Sequence, residues 1–242
     1  MSPKSLWILV DYGNVNPIDR DRGLAWLVDR ILRAIGSERF QEGSVIKVRL
    51  YGGWYQESEF SRLAQLLSAE IASGFPAPFE FVSGKKMARA KVNVELAESL
   101  LTDPSRSLFR TYRPRGFPGG IRCSEPPFDG CAFPDACVLE SIHPFLSSRE
   151  CPVDGCSLSP KKILERPEQK LVDTMLTADL VQLSLEGERV AVVSSDDDLW
   201  PGIRLALNLG VEVFHVHPKK GQGSPPEYRD PAPSAYSEFS FY

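Results

Sequence analysis

Apolar positions along the chain follow two periods. Residues 4–10 (Lys-Ser-Leu-Trp-Ile-Leu-Val) form a short apolar run that stops at Asp11-Tyr12-Gly13-Asn14, the pattern of a buried parallel strand entering a tight turn. From residue 21 onward Leu24, Leu27, Val28, Ile31, Leu32 and Ile35 recur at three- and four-residue spacing up to Gly36, which predicts an amphipathic helix with a glycine cap. Residues 45–51 alternate as a strand. Phe60, Leu63, Ala64, Leu67 and Ile71 then mark a second helix before Gly74, and residues 79–82 predict a third, shorter strand. After a long interruption Pro167 is placed to open a helix running to about residue 184. Residues 189–194, containing Val-Ala-Val-Val, predict a buried strand, residues 200–209 a helix ending at Gly210, and residues 211–216 a last strand. Such alternation predicts an α/β fold: Rossmann-like, doubly wound, with a mainly parallel sheet and helices on both faces.

Two segments fall outside this scheme. Residues 84–164 are too many for a loop in a compact domain, and their middle is rich in Cys, Pro and Gly, so they predict a long insertion. Within it Val92, Val94 and Leu96 alternate and residues 137–142 offer an extra strand, which suggests some sheet of its own. Residues 218–242, rich in Pro, Ser and Gly and without periodicity, read as a flexible C-terminal tail whose Phe239, Phe241 and Tyr242 stay undocked. The expected organisation is a core of 1–83 and 165–217, an insertion of 84–164 and a tail of 218–242.

The composition, 42% hydrophobic and 25% charged over 242 residues, excludes disorder, collagen and coiled coil as global descriptions. No apolar run approaches the roughly 20 residues that span a bilayer, and residues 1–7 lack the long apolar stretch of a secretory signal, so a soluble, cytoplasmic chain without a membrane partner is expected. The net charge of −4 argues against a polyanion partner only on average. Residues 85–122 hold nine basic side chains (Lys85, Lys86, Arg89, Lys91, Arg106, Arg110, Arg113, Arg115, Arg122) against Glu95, Glu98 and Asp103, a local charge of +6. Phe109, Tyr112 and Phe117 interleave with them. That mix grips phosphates and stacks on unpaired bases, or it is a solvated face over a local aromatic core. On the first reading Lys85, Lys86, Arg89, Arg110, Arg113, Arg115 and Lys170 contact nucleic acid, with single-stranded RNA preferred over DNA.

All five cysteines fall within the insertion: Cys123, Cys131, Cys137, Cys151 and Cys156. None forms a Cys-x-x-Cys pair. Their crowding into a segment of low apolar content suggests a structural Zn²⁺ held by four of them, set against buried thiols or one disulfide. Cys151-Pro-Val-Asp-Gly-Cys156 most resembles a metal knuckle. His215 and His217 share one face of the last strand and read as structural.

In an open parallel sheet ligands bind at the carboxyl ends of the strands, where the strand order reverses. Asp11 ends the first strand, and Ser194-Ser195-Asp196-Asp197-Asp198 follows the Val-Ala-Val-Val strand, so both reach the same edge. One side-chain acceptor suffices to cap a helix; three successive carboxylates repel unless a cation is near. On the helix after Pro167, Asp173 falls on the rim of the apolar stripe and Asp179 inside it. A core-facing carboxylate has to be paired, hydrogen-bonded or metal-bound. Lys170, one turn before Asp173, can pair with it or touch a phosphate. Together these carboxylates predict a site for Mg²⁺ or Mn²⁺, which take oxygen ligands and keep water positions open. No phosphate-binding glycine loop is present, which argues against kinase and dinucleotide chemistry.

Leu9-Val10-Asp11-Tyr12-Gly13-Asn14-Val15, Lys170-Leu171-Val172-Asp173 with Asp179 six residues on, Val193-Ser194-Ser195-Asp196-Asp197-Asp198-Leu199-Trp200-Pro201 and Gly210-Val211-Glu212-Val213 together resemble the NYN domain of the PIN-like ribonuclease superfamily. The family's first motif is usually Asp-Gly-x-Asn. Here the spacing holds, with Gly displaced by one. The resemblance covers residues 5–83 and 165–217 and leaves the middle and the tail unexplained. It implies a PIN-like fold and a divalent-metal-dependent nuclease acting on RNA. Asp11, Asp173 and Asp196 would be the principal metal carboxylates and Asp198 a fourth. Asn14 would orient Asp11 or its water, and Asp179 would be a further carboxylate or would orient a ligand. Two other classes compete with this one. A catalytically inactive PIN-like module would bind nucleic acid or a partner protein, or form a homodimer, through its insertion or tail. A Mg²⁺-dependent phosphatase would want a second Asp where Gly13 stands.

Overall fold

The computed structural model describes residues 5–83, 86–116, 124–126, 128–137, 139–140, 142–148, 150–169, 171–219, 221–229 and 234–241. The chain divides into two units, Met1–Tyr112 with Gln169–Tyr242, and Arg113–Glu168. In chain order the strands are β1 (Leu6–Asp11), β2 (Val45–Tyr51), β3 (Tyr55–Gln56), β4 (Glu59–Phe60), β5 (Ala77–Ser83), β6 (Lys86–Leu96), β7 (Tyr112–Gly116), β8 (Glu165–Gln169), β9 (Arg189–Val193), β10 (Val213–His217) and β11 (Tyr236–Ser240). The helices are α1 (Pro17–Arg20), α2 (Leu24–Ile35), α3 (Arg62–Gly74), α4 (His143–Ser148), α5 (Pro160–Ile163), α6 (Val172–Leu185), α7 (Trp200–Asn208) and α8 (Pro226–Arg229).

The first unit is built on a seven-stranded sheet in the order β11-β10-β9-β1-β2-β6-β5. All neighbours are parallel except β5, which pairs antiparallel with β6 at one edge. Alternation along β1 sends Ile8 and Val10 into a cluster with Leu27, Ile31 and Ile35 of α2, while Leu9 enters a second cluster with Leu176 and Leu180 of α6 and Ile203 of α7. Helices therefore cover both faces, as the two-sided apolar strands require. Gly36 closes α2 at φ 95°, a conformation that an L side chain resists.

Three expectations from the sequence fail here. Residues 86–96 belong to the core sheet and not to an insertion: Ala88, Ala90, Val92, Val94 and Leu96 are buried at every second position, while Arg89 and Lys91 point to solvent. The basic face of one long amphipathic strand disguised it. Helix α6 begins at Val172 and not near Pro167, which lies within β8; Leu171 at φ 66° breaks the chain between the two elements. The tail is not free, because β11 extends the sheet beside β10 and Phe241 is buried in the core, its carbonyl accepting from Arg30.

In the second unit β7 and β8 are neighbours, and α4 and α5 are single short turns. The described part of residues 137–142 forms turns, where an extra strand was expected. Phe133, Leu139, Val153 and Leu158 are exposed, so the described residues of this unit bury little apolar surface.

Candidate active site at the carboxyl edge of the sheet

Strand order reverses at β1: β2 and β6 lie on one side of it, β9, β10 and β11 on the other. The turns after β1 and β9 are therefore side by side at the switch point. Asp11 closes β1 with only 5% of its surface exposed. Its Oδ2 accepts from Ser194 Oγ at 3.0 Å and its Oδ1 from the Asn14 main-chain N–H at 3.2 Å. Ser194 Oγ in turn accepts from the Asp196 N–H at 3.1 Å, and Asp196 Oδ1 caps the following turn by accepting from the Asp198 N–H at 3.0 Å. The Asn14 side chain crosses to the second turn, accepting from the Ser195 N–H at 3.1 Å. Asn14 thus holds Asp11 through its main chain, and its side chain ties the two loops together. A Cβ on Gly13 would lie 2.9 Å from Gln169 Oε1, so glycine lets that side chain close over the first turn.

The electrostatics set this edge apart. Burial, the largest cause, pushes the Asp11 carboxyl up to about 6; the Ser194 hydrogen bond opposes it, and the charges of Asp173 and Asp196 add to it. Asp173, in the first turn of α6, is raised by partial burial of its carboxyl and then by Asp196 and Asp198. All four carboxylates nominated from the sequence for the metal therefore share one field. Among the described residues no group of three or more His, Cys, Asp or Glu stands close enough to enclose an ion. The donor set still suits a hard cation that keeps several waters, because Mg²⁺ needs only one or two carboxylates of its own.

Asp179 is a different case, and the expectation that it serves the site as a further carboxylate or orients a ligand there is corrected. It is 1% exposed, on the buried stripe of α6. Its Oδ2 pairs with Arg49 Nε at 3.1 Å and accepts from the Tyr51 hydroxyl at 2.7 Å, while Oδ1 accepts from the Leu101 N–H at 2.8 Å. Arg49 also reaches Glu95 and the Ser99 carbonyl. The carboxylate is committed to structure, and burial with Asp179 alongside raises the Tyr51 hydroxyl, keeping it protonated.

Among the described residues, the basic positions of β6 do not lie beside the carboxylates. Lys91 is in register with Val45, the first residue of β2, whereas Asp11 is in register with Tyr51, the last. Lys86 and Arg89 precede Lys91 on β6 and so lie toward the opposite end of the sheet. Arg89 is paired with Glu80 at 2.7 Å and Arg110 with Glu57 at 2.7 Å. Phe109 packs edge-on against Tyr55 at 5.0 Å, in a local aromatic group with Phe60. Lys85, Lys170 and Cys123 lie outside the described residues, as do the side chains of Lys86, Arg113 and Arg115. Cys131, Cys137, Cys151 and Cys156 are half-buried thiols. Among the described residues Cys151 and Cys156 are brought into contact: the Cys156 thiol is lowered by the Leu158 N–H, then by the Cys151 thiol.

Sequence reasoning missed the layer behind this edge. His215 and His217 are buried beneath Ser194 and Ser195 and are contacted by Ser224, Tyr236 and Glu238 from the supposed tail. The only signal was the His-x-His spacing on a strand. Among the described residues no helix is long and apolar enough to cross a membrane.

No family model and no solved structure matches the chain. Over 62 residues it is 36% identical to an uncharacterized protein, y4oD, of Sinorhizobium fredii (strain NBRC 101917 / NGR234), a stretch that covers 24% of this chain and 29% of that protein. The chain thus spans less than a third of the curated relative it matches.

Proposed function

We propose that the chain is a PIN-like, divalent-metal-dependent nuclease that hydrolyses phosphodiesters of single-stranded RNA. The observation that carries this reading is the buried Asp11 carboxyl at the switch point, raised by its burial and by the charges of Asp173 and Asp196. A carboxylate kept there with no cationic side chain beside it among the described residues is a cost to folding that Mg²⁺ or Mn²⁺ would relieve. Asp11 and Asp196, with Asp173 and Asp198 around them, would hold the ion, which when bound supplies an activated water and neutralises charge on the phosphate. Ser194 and Asn14 keep Asp11 and the acidic turn in register. The half-buried thiols of the second unit, whose described residues bury little apolar surface, would take Zn²⁺ as a structural substitute for a core. Incubation of labelled single-stranded RNA with Mn²⁺ or with EDTA tests the main reading. Cleavage with Mn²⁺ only, abolished in Asp11→Asn, is the expected result; RNA left intact by the folded wild type under both conditions sinks it.

A further inference from the structure

Each of the two buried histidines of β10 is held at both nitrogens. His215 Nε2 lies 3.0 Å from the Ser194 carbonyl oxygen, which can only accept, so that nitrogen carries the proton. His215 Nδ1 is then an acceptor for Tyr236 Oη at 3.0 Å or Ser224 Oγ at 3.2 Å. His217 Nε2 lies 2.7 Å from Glu238 Oε1, which places a proton on Nε2; in the neutral ring Nδ1 is then the acceptor for Ser195 Oγ at 3.2 Å. Glu238 is itself fixed, its Oε1 also accepting from the Ser224 N–H at 2.7 Å. A continuous path therefore runs from the C-terminal strand through two rings to the two serines of the acidic turn.

The consequence falls on Ser195. With His217 neutral its hydroxyl proton is committed to that ring; its main-chain N–H goes to Asn14, and it is partly exposed next to Asp196. The hydroxyl oxygen keeps its lone pairs. We propose that Glu238 and His217 are positioning residues that present the Ser195 oxygen to the acidic edge as an acceptor for the attacking water. The inference rests on the nuclease reading of that edge and adds to it a group that is not a carboxylate, aimed by a strand remote in sequence.

The test is a double-mutant cycle on the full chain, with Ser195→Ala, Glu238→Gln and the pair together. Cleavage of single-stranded RNA with Mn²⁺ is measured alongside ¹⁵N spectra of the imidazoles without metal. Either single change is expected to lower kcat about tenfold with KM within about twofold, as loss of a group behind a catalytic site does. The double variant is expected to match Ser195→Ala, because Glu238 acts through Ser195. His217→Asn, which keeps an acceptor near the Nδ1 position, should retain more activity than His217→Leu. The wild-type spectrum should show His217 protonated at Nε2, with the Nδ1 resonance moving in Ser195→Ala. Effects that multiply in the double variant, single variants as fast as wild type, or a proton on Nδ1 each overturn the relay while the nuclease reading stands. A wild type that cleaves no RNA sinks the nuclease reading, and the role given to Ser195 with it.

Discussion

Asp11 and Asp179 are both buried carboxylates on the same side of one sheet, yet their surroundings are opposite in kind. Asp179 has an arginine, a tyrosine hydroxyl and a main-chain N–H within hydrogen-bond reach. Asp11 has a serine hydroxyl and one main-chain N–H, and the charges that bear on it are those of Asp173 and Asp196. Burial alone therefore does not separate a carboxylate with a cationic partner from one set among like charges. The sign of the neighbouring charge does.

The comparison can be broken at either end. The largest effect is expected from Asp179→Ala, which strands Arg49 in the interior and should cost about 3–5 kcal/mol in denaturant unfolding. A loss under about 1 kcal/mol would mean that Glu95 and the Ser99 carbonyl suffice for Arg49. At the other end, Asp11→Asn should abolish Mn²⁺-dependent cleavage and yet stabilise the fold. The native carboxyl titrates at about 6 against a usual 3.8, so the folded state holds its proton where the unfolded state has lost it. The favourable contribution is complete below pH 4 and is lost as pH rises through 6. The stability gap between Asp11→Asn and wild type should accordingly open between pH 4 and 6 and level off above, at up to about 3 kcal/mol for a shift of this size. A gap independent of pH, read from urea melts at several pH values, would place the charge elsewhere.

Smaller effects sharpen the contrast. Tyr51→Phe removes one neutral donor from Asp179 and should cost about 1–2 kcal/mol, leaving cleavage within about twofold. Arg89→Ala, on an exposed pair at the far end of the sheet, should change stability by less than about 0.5 kcal/mol and leave the affinity for single-stranded RNA, followed by fluorescence anisotropy, unaltered. A large loss of RNA affinity would restore Arg89 to the nucleic-acid contacts proposed for it.

The candidate site was legible where chemistry and chain order coincide. Asp11 and Asp196 follow apolar runs directly, so their place at the sheet edge needed no tertiary information. The inward direction of Asp179 was also readable from the helical period. Its partner was not, because Arg49 lies 130 residues away and sits in a strand whose alternation makes an arginine look like an outward position. Strand β6 was hidden by its solvent face, since Arg89 and Lys91 read, with the Lys86 that precedes them in sequence, as a basic arm until Ala88, Ala90 and Val92 are seen filling the core. β11 was hidden for the opposite reason: a five-residue edge strand needs little apolar material. Phe239 packs against the core and Phe241 lies within it, while Tyr236 and Glu238 meet the histidines. Local composition around it, rich in proline and serine, outweighed that two-residue period.

The parallel docking of β11 also fixes an order of events during synthesis. A chain still on the ribosome that has not yet reached residue 236 already contains Asp11, Asn14, Ser194 and Asp196, but nothing yet stands beneath His215 and His217 where Tyr236 and Glu238 will be. Parallel pairing cannot be made by a hairpin, so β11 joins only after a crossover of its own. Of the strands in this sheet β11 is made after all the others, so it is the one that completes the support of the acidic edge, and a growing chain carries its carboxylates for some time before that edge is finished.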